Sequence, residues 1–113
     1  MVRIESFRSM ALSFPGAEES PHFELASFRV KKKIFSTLSE KEHRVMVKLS
    51  LVDQSVFCAF DQEIIYPVPG GWGKGGATYV NLKKVKKQML LDAITQAYCM
   101  VAPKSIAYLL RKK

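Results

Sequence analysis

The fold class of this chain is decided by residues 78–101, TYVNLKKVKKQMLLDAITQAYCMV. The first five residues are rich in β-branched and aromatic side chains, which predicts a strand. Farther on, apolar residues recur mostly at four-residue steps with polar residues between them, which predicts an amphipathic helix. The residues of this stripe are Val85, Met89, Ala93, Ile94, Ala97 and Val101. A last strand followed directly by the clearest helix of the chain favours an α+β protein.

The sequence before and after this stretch predicts short elements. Prolines 67 and 69 place one strand at a sheet edge, because proline lacks the donor that a central strand needs. The chain is predicted to begin with a helix at 4–14, followed by two or three antiparallel strands at 17–37 and a strand at 44–49. A helix at 51–60, with Val52, Val56 and Phe60 four apart, then precedes the edge strand at 64–69 and the strand at 78–82. The helix at 85–101 is followed by a last helix from Pro103, with Ile106, Leu109 and Leu110 on one side.

This order predicts an α+β fold in which a single-layer antiparallel β-sheet packs against N-terminal and C-terminal helices. The chain has 113 residues, of which 48% are hydrophobic and 25% charged. These are ordinary values for a globular protein, and the length fits one domain over residues 1–113. No coiled-coil pattern is present, which favours a monomer.

The chain is strongly basic, with 18 Lys and Arg against 10 Asp and Glu, a formal charge of +8. Such a surface attracts DNA or another polyanion, although the same charge can simply serve solubility. No apolar run reaches the length of a membrane span, and there is no leader pattern, so the expected location is cytoplasmic without membrane contact. We expect Cys58 and Cys99 to be buried thiols.

A glycine-rich loop, Gly71-Trp72-Gly73-Lys74-Gly75-Gly76, precedes the last strand. It matches Gly-x-Gly-x-x-Gly literally, but a dinucleotide loop opens a helix, and here a β-like segment follows. As a hairpin it can present Trp72 to a base and Lys74 to a phosphate. The alternative, favoured by the usual burial of tryptophan, is that Trp72 folds over the core and the glycines only permit positive φ.

Two basic clusters are candidate phosphate contacts. Arg29 precedes Lys31, Lys32 and Lys33 at a predicted turn, and Lys83 and Lys84 follow the last strand. Both can bind phosphates in a salt-dependent manner. Charge runs are, however, more often solvated surface, and binding requires that these clusters share a face with Trp72.

No catalytic, metal or cofactor site is predicted. The two histidines, His22 and His43, lie in a strand-like segment and a charged turn, and nothing in the spacing supports a dyad of His22 with Cys58. The cysteines and histidines also lack zinc spacing. Glu18 and Glu19 are adjacent, and neighbours in a strand point to opposite faces, so they cannot flank one bond. We therefore expect a protein without enzymatic activity.

Five short motifs resemble the MmcQ/YjbR-like family in order and spacing. They are PGAEES at 15–20, FRV at 28–30 with KIF at 33–35, VKL at 47–49, YPVP at 66–69 with WGK at 72–74, and AYC at 97–99 with VAPK at 101–104. The resemblance implies the fold shared by CyaY-like proteins and secretion chaperones, and some members are described as DNA-binding proteins with paired hairpin wings. Close relatives usually carry a large aromatic residue where this chain has Ala77.

These observations favour a small binding protein for nucleic acid, with DNA as the expected ligand. The predicted contacts are Arg29, Lys31, Lys32, Lys33, Trp72, Lys74, Lys83 and Lys84. Fold alone does not fix function, and two alternatives stay open. One is a protein-interaction or chaperone-like module with a contiguous apolar patch on the sheet, and the other is a small-ligand domain with a pocket at the Trp72 loop.

Overall fold

The computed structural model describes residues 1–111, with side chains up to Ala107. The side chains of Leu109 and Leu110, expected on one side of the last helix, are not among those described. Lys112 and Lys113 lie outside the described residues. Within the described part of the chain, no helix is both long and apolar enough to cross a lipid bilayer.

The described chain forms five helices and six strands. The helices are α1 (Ile4–Leu12), α2 (Leu51–Cys58), α3 (Gly71–Lys74), α4 (Lys87–Val101) and α5 (Lys104–Arg111). The strands are β1 (Ala17–His22), β2 (Leu25–Val30), β3 (Lys33–Ser39), β4 (Arg44–Lys48), β5 (Ile65–Pro67) and β6 (Ala77–Asn81). They make one antiparallel sheet in the order β1-β2-β3-β4-β6-β5. The predicted α+β class and single antiparallel sheet are confirmed, and the proline-bearing strand lies at an edge.

One face of the sheet carries the hydrophobic core. Directly paired residues of antiparallel strands point to the same side of a sheet. Leu38, Val45, Val80 and Ile65 pair in one row across four strands, and all are buried. Helix α4 packs on β3 and β4 at this face. We call this side the helix face.

Aromatic contacts join the helices to this face. The ring of Phe28 meets that of Phe7 from α1 edge-on at 5.3 Å. Tyr98 of α4 stacks on Phe14 at 4.7 Å and meets Phe35 edge-on at 5.5 Å. Aromatic pairs in these geometries add to the stabilisation from burial.

The opposite side of the sheet, which we call the open face, carries a different row. Ser27, Thr37, Met46, Tyr79 and Tyr66 pair successively from β2 to β5. Because this row is shifted by one residue from the core row, its side chains point away from the core. Among the described helices, α1, α2 and α4 contribute to the helix-face core and α5 packs on α4, whereas the single turn α3 borders the open face through Trp72.

One prediction about α2 is wrong. The predicted stripe of Val52, Val56 and Phe60 is exposed, and the buried residue of the helix is Gln54. The side chain of Ser50 caps the helix by accepting a hydrogen bond from the Asp53 backbone N–H at 3.1 Å, and Asp53 is an acidic residue of the first turn. Among the described residues neither cysteine forms a disulfide; Cys99 is buried as expected, whereas Cys58 is only partly buried.

Candidate nucleic-acid interface

Trp72 lies on the surface, with 79% of its area exposed. The expectation that it folds over the core is therefore wrong. The glycine-rich segment is also not a hairpin tip, since residues 71–74 form the single-turn helix α3. Residues two apart on a helix point in different directions. Lys74 and the Trp72 indole therefore do not point the same way, contrary to the prediction that they are presented together.

Two glycines hold α3 close to neighbouring backbone. A Cβ atom at Gly73 would lie 1.8 Å from the Val68 carbonyl oxygen, and one at Gly76 would lie 2.0 Å from that of Leu49. Gly76 also has φ of +109°, which side chains disfavour. These positions explain the glycine-rich motif by close packing, with no need for a bound phosphate.

Gln54 fastens α3 to the rest of the protein. Its buried Nε2 atom donates to the carbonyl oxygens of Gly73 at 2.8 Å and Ala77 at 3.2 Å, and to Thr78 Oγ1 at 3.1 Å. Among the described residues, no buried side-chain N or O atom is left without a partner. Trp72 therefore belongs to a turn of helix that Gln54 anchors by hydrogen bonds. The apolar pattern of the predicted helix at 51–60 gave no signal for this role of Gln54.

Trp72 borders a groove of about 310 Å³ on the open face. Met46, Thr37 and Tyr79 line its floor, and His22 and Leu25 stand at the far end on the β1–β2 hairpin. A shallower hollow of about 460 Å³ continues between Trp72, Lys48 and Ala77. Ala77 occurs in both, so the small side chain at this position leaves room beside the indole.

Basic side chains accompany the aromatic rings on the open face. The Arg44 guanidinium lies 3.8 Å from the centroid of the Tyr79 ring, a cation–π contact, and Tyr66 meets Tyr79 edge-on at 5.7 Å. Arg29 donates from Nε to Ser27 Oγ at 3.0 Å. Arg44 and Tyr79 were not among the predicted contacts. The alternation of β4, which puts Arg44, Met46 and Lys48 on one side, was the available signal.

The structure does not gather the predicted basic residues into one patch. Arg29 lies on the open face, at the position opposite Glu18 of β1. Lys31 and Lys33 line a cavity beside α4 and α5, on the other side of the sheet. Lys83 and Lys84 follow Asn81, which pairs with Arg44 at the sheet end remote from α3, and Lys84 forms an ion pair with Glu63 at 3.4 Å.

No catalytic arrangement links Cys58 to His22. Helix α2 packs beside β5 and His22 ends β1, so the two residues belong to opposite edges of the six-stranded sheet. Burial raises the pKa of the Cys58 thiol, which disfavours the reactive thiolate. In residues 1–111, no three His, Cys, Asp or Glu side chains converge on a possible metal position. Of the adjacent carboxylates Glu18 and Glu19, the latter forms an ion pair with Arg8, with 3.1 Å between Arg8 Nε and Glu19 Oε2.

Comparison with known proteins identifies the fold and family. The family model described as YjbR matches residues 12–100. A solved structure, the Deinococcus radiodurans protein DR2400 with a DUF419 domain, superposes with a TM-score of 0.79 at 18% sequence identity, covering 98% of this chain and 89% of that chain. At that identity the similarity shows the fold alone. No curated protein matches the sequence.

Proposed function

The chain belongs to the YjbR family, and we propose that it is a non-enzymatic protein that binds single-stranded nucleic acid, DNA in the first instance, on the open face of its sheet. The observation that carries this proposal is the exposed Trp72 indole, held by Gln54 at the border of a groove lined by Tyr79 and Arg44. Aromatic platforms beside basic groups are the usual means of binding single strands.

The chemistry of the groove favours a nucleobase over a polar ligand. Indole and guanidinium planes both stack on bases, and each base–aromatic stack contributes about 1–3 kcal/mol. The Arg44 guanidinium already lies over the Tyr79 ring, 3.8 Å from its centroid, so stacking on a base would require little further ordering of this side chain. The groove volume of about 310 Å³ suits a single base better than a duplex.

The charge distribution favours a phosphate backbone along the same face. Arg29, Arg44 and Lys48 belong to the open side of strands β2 and β4. Strands β2 to β6 contain no Asp or Glu, and the sheet's two acids, Glu18 and Glu19, are confined to edge strand β1. A strand of nucleic acid crossing β2, β4 and β6 would meet cations and no central carboxylate.

Fluorescence anisotropy tests the proposal with a labelled oligothymidylate of about twelve nucleotides and a duplex of equal length, at about 50 and 200 mM salt. Trp72→Ala should lower single-strand affinity about tenfold. Arg44→Lys keeps the charge but loses the stacking plane, so affinity should fall while the salt dependence stays. Phe60→Ala, at an exposed aromatic residue just after α2, is the matched control. Absence of low-salt binding, or equal binding by Trp72→Ala, contradicts the proposal.

A second candidate function, binding of a basic protein segment, is favoured by the exposed apolar side of α2. Val52 and Val56 of α2, and Phe60 just after the helix, are more than half exposed. Residues 49–73 contain Asp53, Asp61 and Glu63 but no Lys or Arg, although the chain carries +8. Antiparallel pairing with a second copy would bring Asp53 against Asp61, so a partner with an apolar side flanked by lysines is the better complement.

A labelled helical Leu/Lys peptide tests this second function, with a Leu/Glu peptide as the matched control. The basic peptide should bind, and Val56→Ser with Phe60→Ser should weaken it at least tenfold while oligonucleotide binding stays unchanged. Equal binding of both peptides, or no effect of the double substitution, contradicts a docking role for α2.

A further inference from the structure

A second cavity, independent of the groove, lies at the corner where α4 meets α5. Its volume is about 790 Å³. Met100, Val101, Pro103 and Ala107 give it apolar walls, and Lys31, Lys33 and Lys104 contribute three ammonium groups from two separate parts of the fold. We call it the corner cavity. The proposed nucleic-acid interface uses none of these residues.

The three lysines have no acidic partner in the described structure. Ion pairs among residues 1–107 involve only Arg8 and Lys84 as cations. The described segments that line the corner cavity, residues 31–33 and 99–107, contain no Asp or Glu. Three like charges around one apolar cavity repel one another, so an anion bound there relieves the repulsion.

The backbone of the β2–β3 turn does not explain why lysines stand there. Lys31 and Lys32 both have positive φ, 50° and 69°, between the paired residues Val30 and Lys33. This two-residue turn type prefers Asn-Gly, because most side chains disfavour positive φ. The presence of Lys31 is therefore better accounted for by its ammonium group at the corner cavity than by the turn.

We infer that the corner cavity binds an organic anion with an apolar body, a carboxylate or phosphate monoester attached to an alkyl chain or ring. The apolar walls receive the body, and Lys31, Lys33 and Lys104 receive the anionic head. The volume lies in the range of small-molecule sites. A free inorganic anion would leave the apolar walls unused, and a nucleic-acid backbone has no apolar body for them.

Isothermal titration calorimetry with three probes below their micelle concentrations tests the inference. Dodecanoate or dodecyl phosphate should bind, and whichever binds more tightly shows whether the cavity prefers a carboxylate or a phosphate ester. Dodecanol, which has no charge, should bind at least tenfold more weakly. Lys31→Gln with Lys33→Gln should weaken the anion at least tenfold. The control Lys83→Gln with Lys84→Gln changes the net charge equally at the remote end of the sheet and should leave affinity unchanged.

A second pair of variants tests the apolar wall without relying on the lysines. Met100→Glu places a carboxylate at an exposed wall position and should abolish anion binding, whereas Leu12→Glu, at a comparably exposed residue of α1, should not. Trp72→Ala should retain anion binding even where it loses oligonucleotides. Equal affinity for dodecanol, equal losses in both lysine pairs, or binding by none of the probes would overturn the inference.

Discussion

The Gln54 side chain donates a 2.8 Å hydrogen bond to the carbonyl oxygen of Gly73, and this contact joins α2 to the single turn of helix that carries Trp72. The same amide group also meets the Ala77 carbonyl and Thr78 Oγ1 at the start of β6. One buried glutamine thus connects α2 to both α3 and the start of β6, about 20 residues farther along the chain. Gln54 therefore anchors the turn of helix next to Trp72 through the Gly73 backbone.

Gln54→Ala should lower the free energy of unfolding by about 1–2 kcal/mol, because the carbonyl oxygens of Gly73 and Ala77 each lose one of two donors and keep only the backbone N–H groups of Gly76 and Val68. Urea denaturation measures the loss. The chain has one tryptophan, so a drop in steady-state fluorescence anisotropy reports the loosening of α3 directly. Gln88→Ala is the control, since Gln88 bonds Asp92 on the exposed side of α4 and should cost less than about 0.5 kcal/mol.

Gly73→Ala should destabilise the protein by about 2 kcal/mol or more, because its new methyl group overlaps the Val68 carbonyl oxygen. Gly71→Ala is matched in chemistry and lies two residues away, but a Cβ there meets no atom within 4 Å. Thermal denaturation of the two variants compares them. Equal melting temperatures would show that the close approach of α3 to Val68 is not required.

Replacing Lys31 by Asn and Lys32 by Gly should raise the free energy of unfolding by about 1 kcal/mol, since both positions have positive φ and the new residues tolerate it. The same variant loses Lys31 from the corner cavity and should bind dodecanoate more weakly. Stability and ligand affinity therefore move in opposite directions. A destabilised variant would show that the lysines contribute to the turn in another way.

Tyr98→Phe should cost about 1 kcal/mol at neutral pH, because the Tyr98 hydroxyl donates to the Pro15 carbonyl oxygen and ties α4 to the α1–β1 turn. Burial, with a smaller effect of Cys99, raises the pKa of Tyr98 above its usual 10. The folded state then keeps a proton that the unfolded state loses, so stability falls as pH rises beyond about 10. The difference between wild type and Tyr98→Phe should narrow there, and a constant difference would contradict this.

The sequence is most informative where one face of an element is buried along its whole length. The alternation of Val45 and Val47 and the stripe through Ala93 and Ala97 both lie against the helix-face core, as predicted. Helix α2 has apolar residues on more than one side, so periodicity could not indicate that Gln54 faces inward. Its burial depends on carbonyl groups of residues 73 and 77, which only the tertiary fold brings within reach.

The candidate site could be predicted only in part. Trp72 and Arg29 do lie on the open face, but the lysine clusters separate because β6 inserts between β4 and β5 and the chain reaches Lys83 at the far end of the sheet. Arg44 and Tyr79 belong to segments 35 residues apart in sequence. Their 3.8 Å contact follows from the β4–β6 register, which no local pattern specifies.

The most direct test of the account maps an oligothymidylate onto isotope-labelled protein by NMR. We expect chemical-shift changes at the Trp72 indole N–H and at the backbone amides of Met46 and Tyr79, with little change at Lys83 or along α4. Changes confined to the helix face, or a Trp72 indole signal that does not move at saturation, would contradict nucleic-acid binding on the open face.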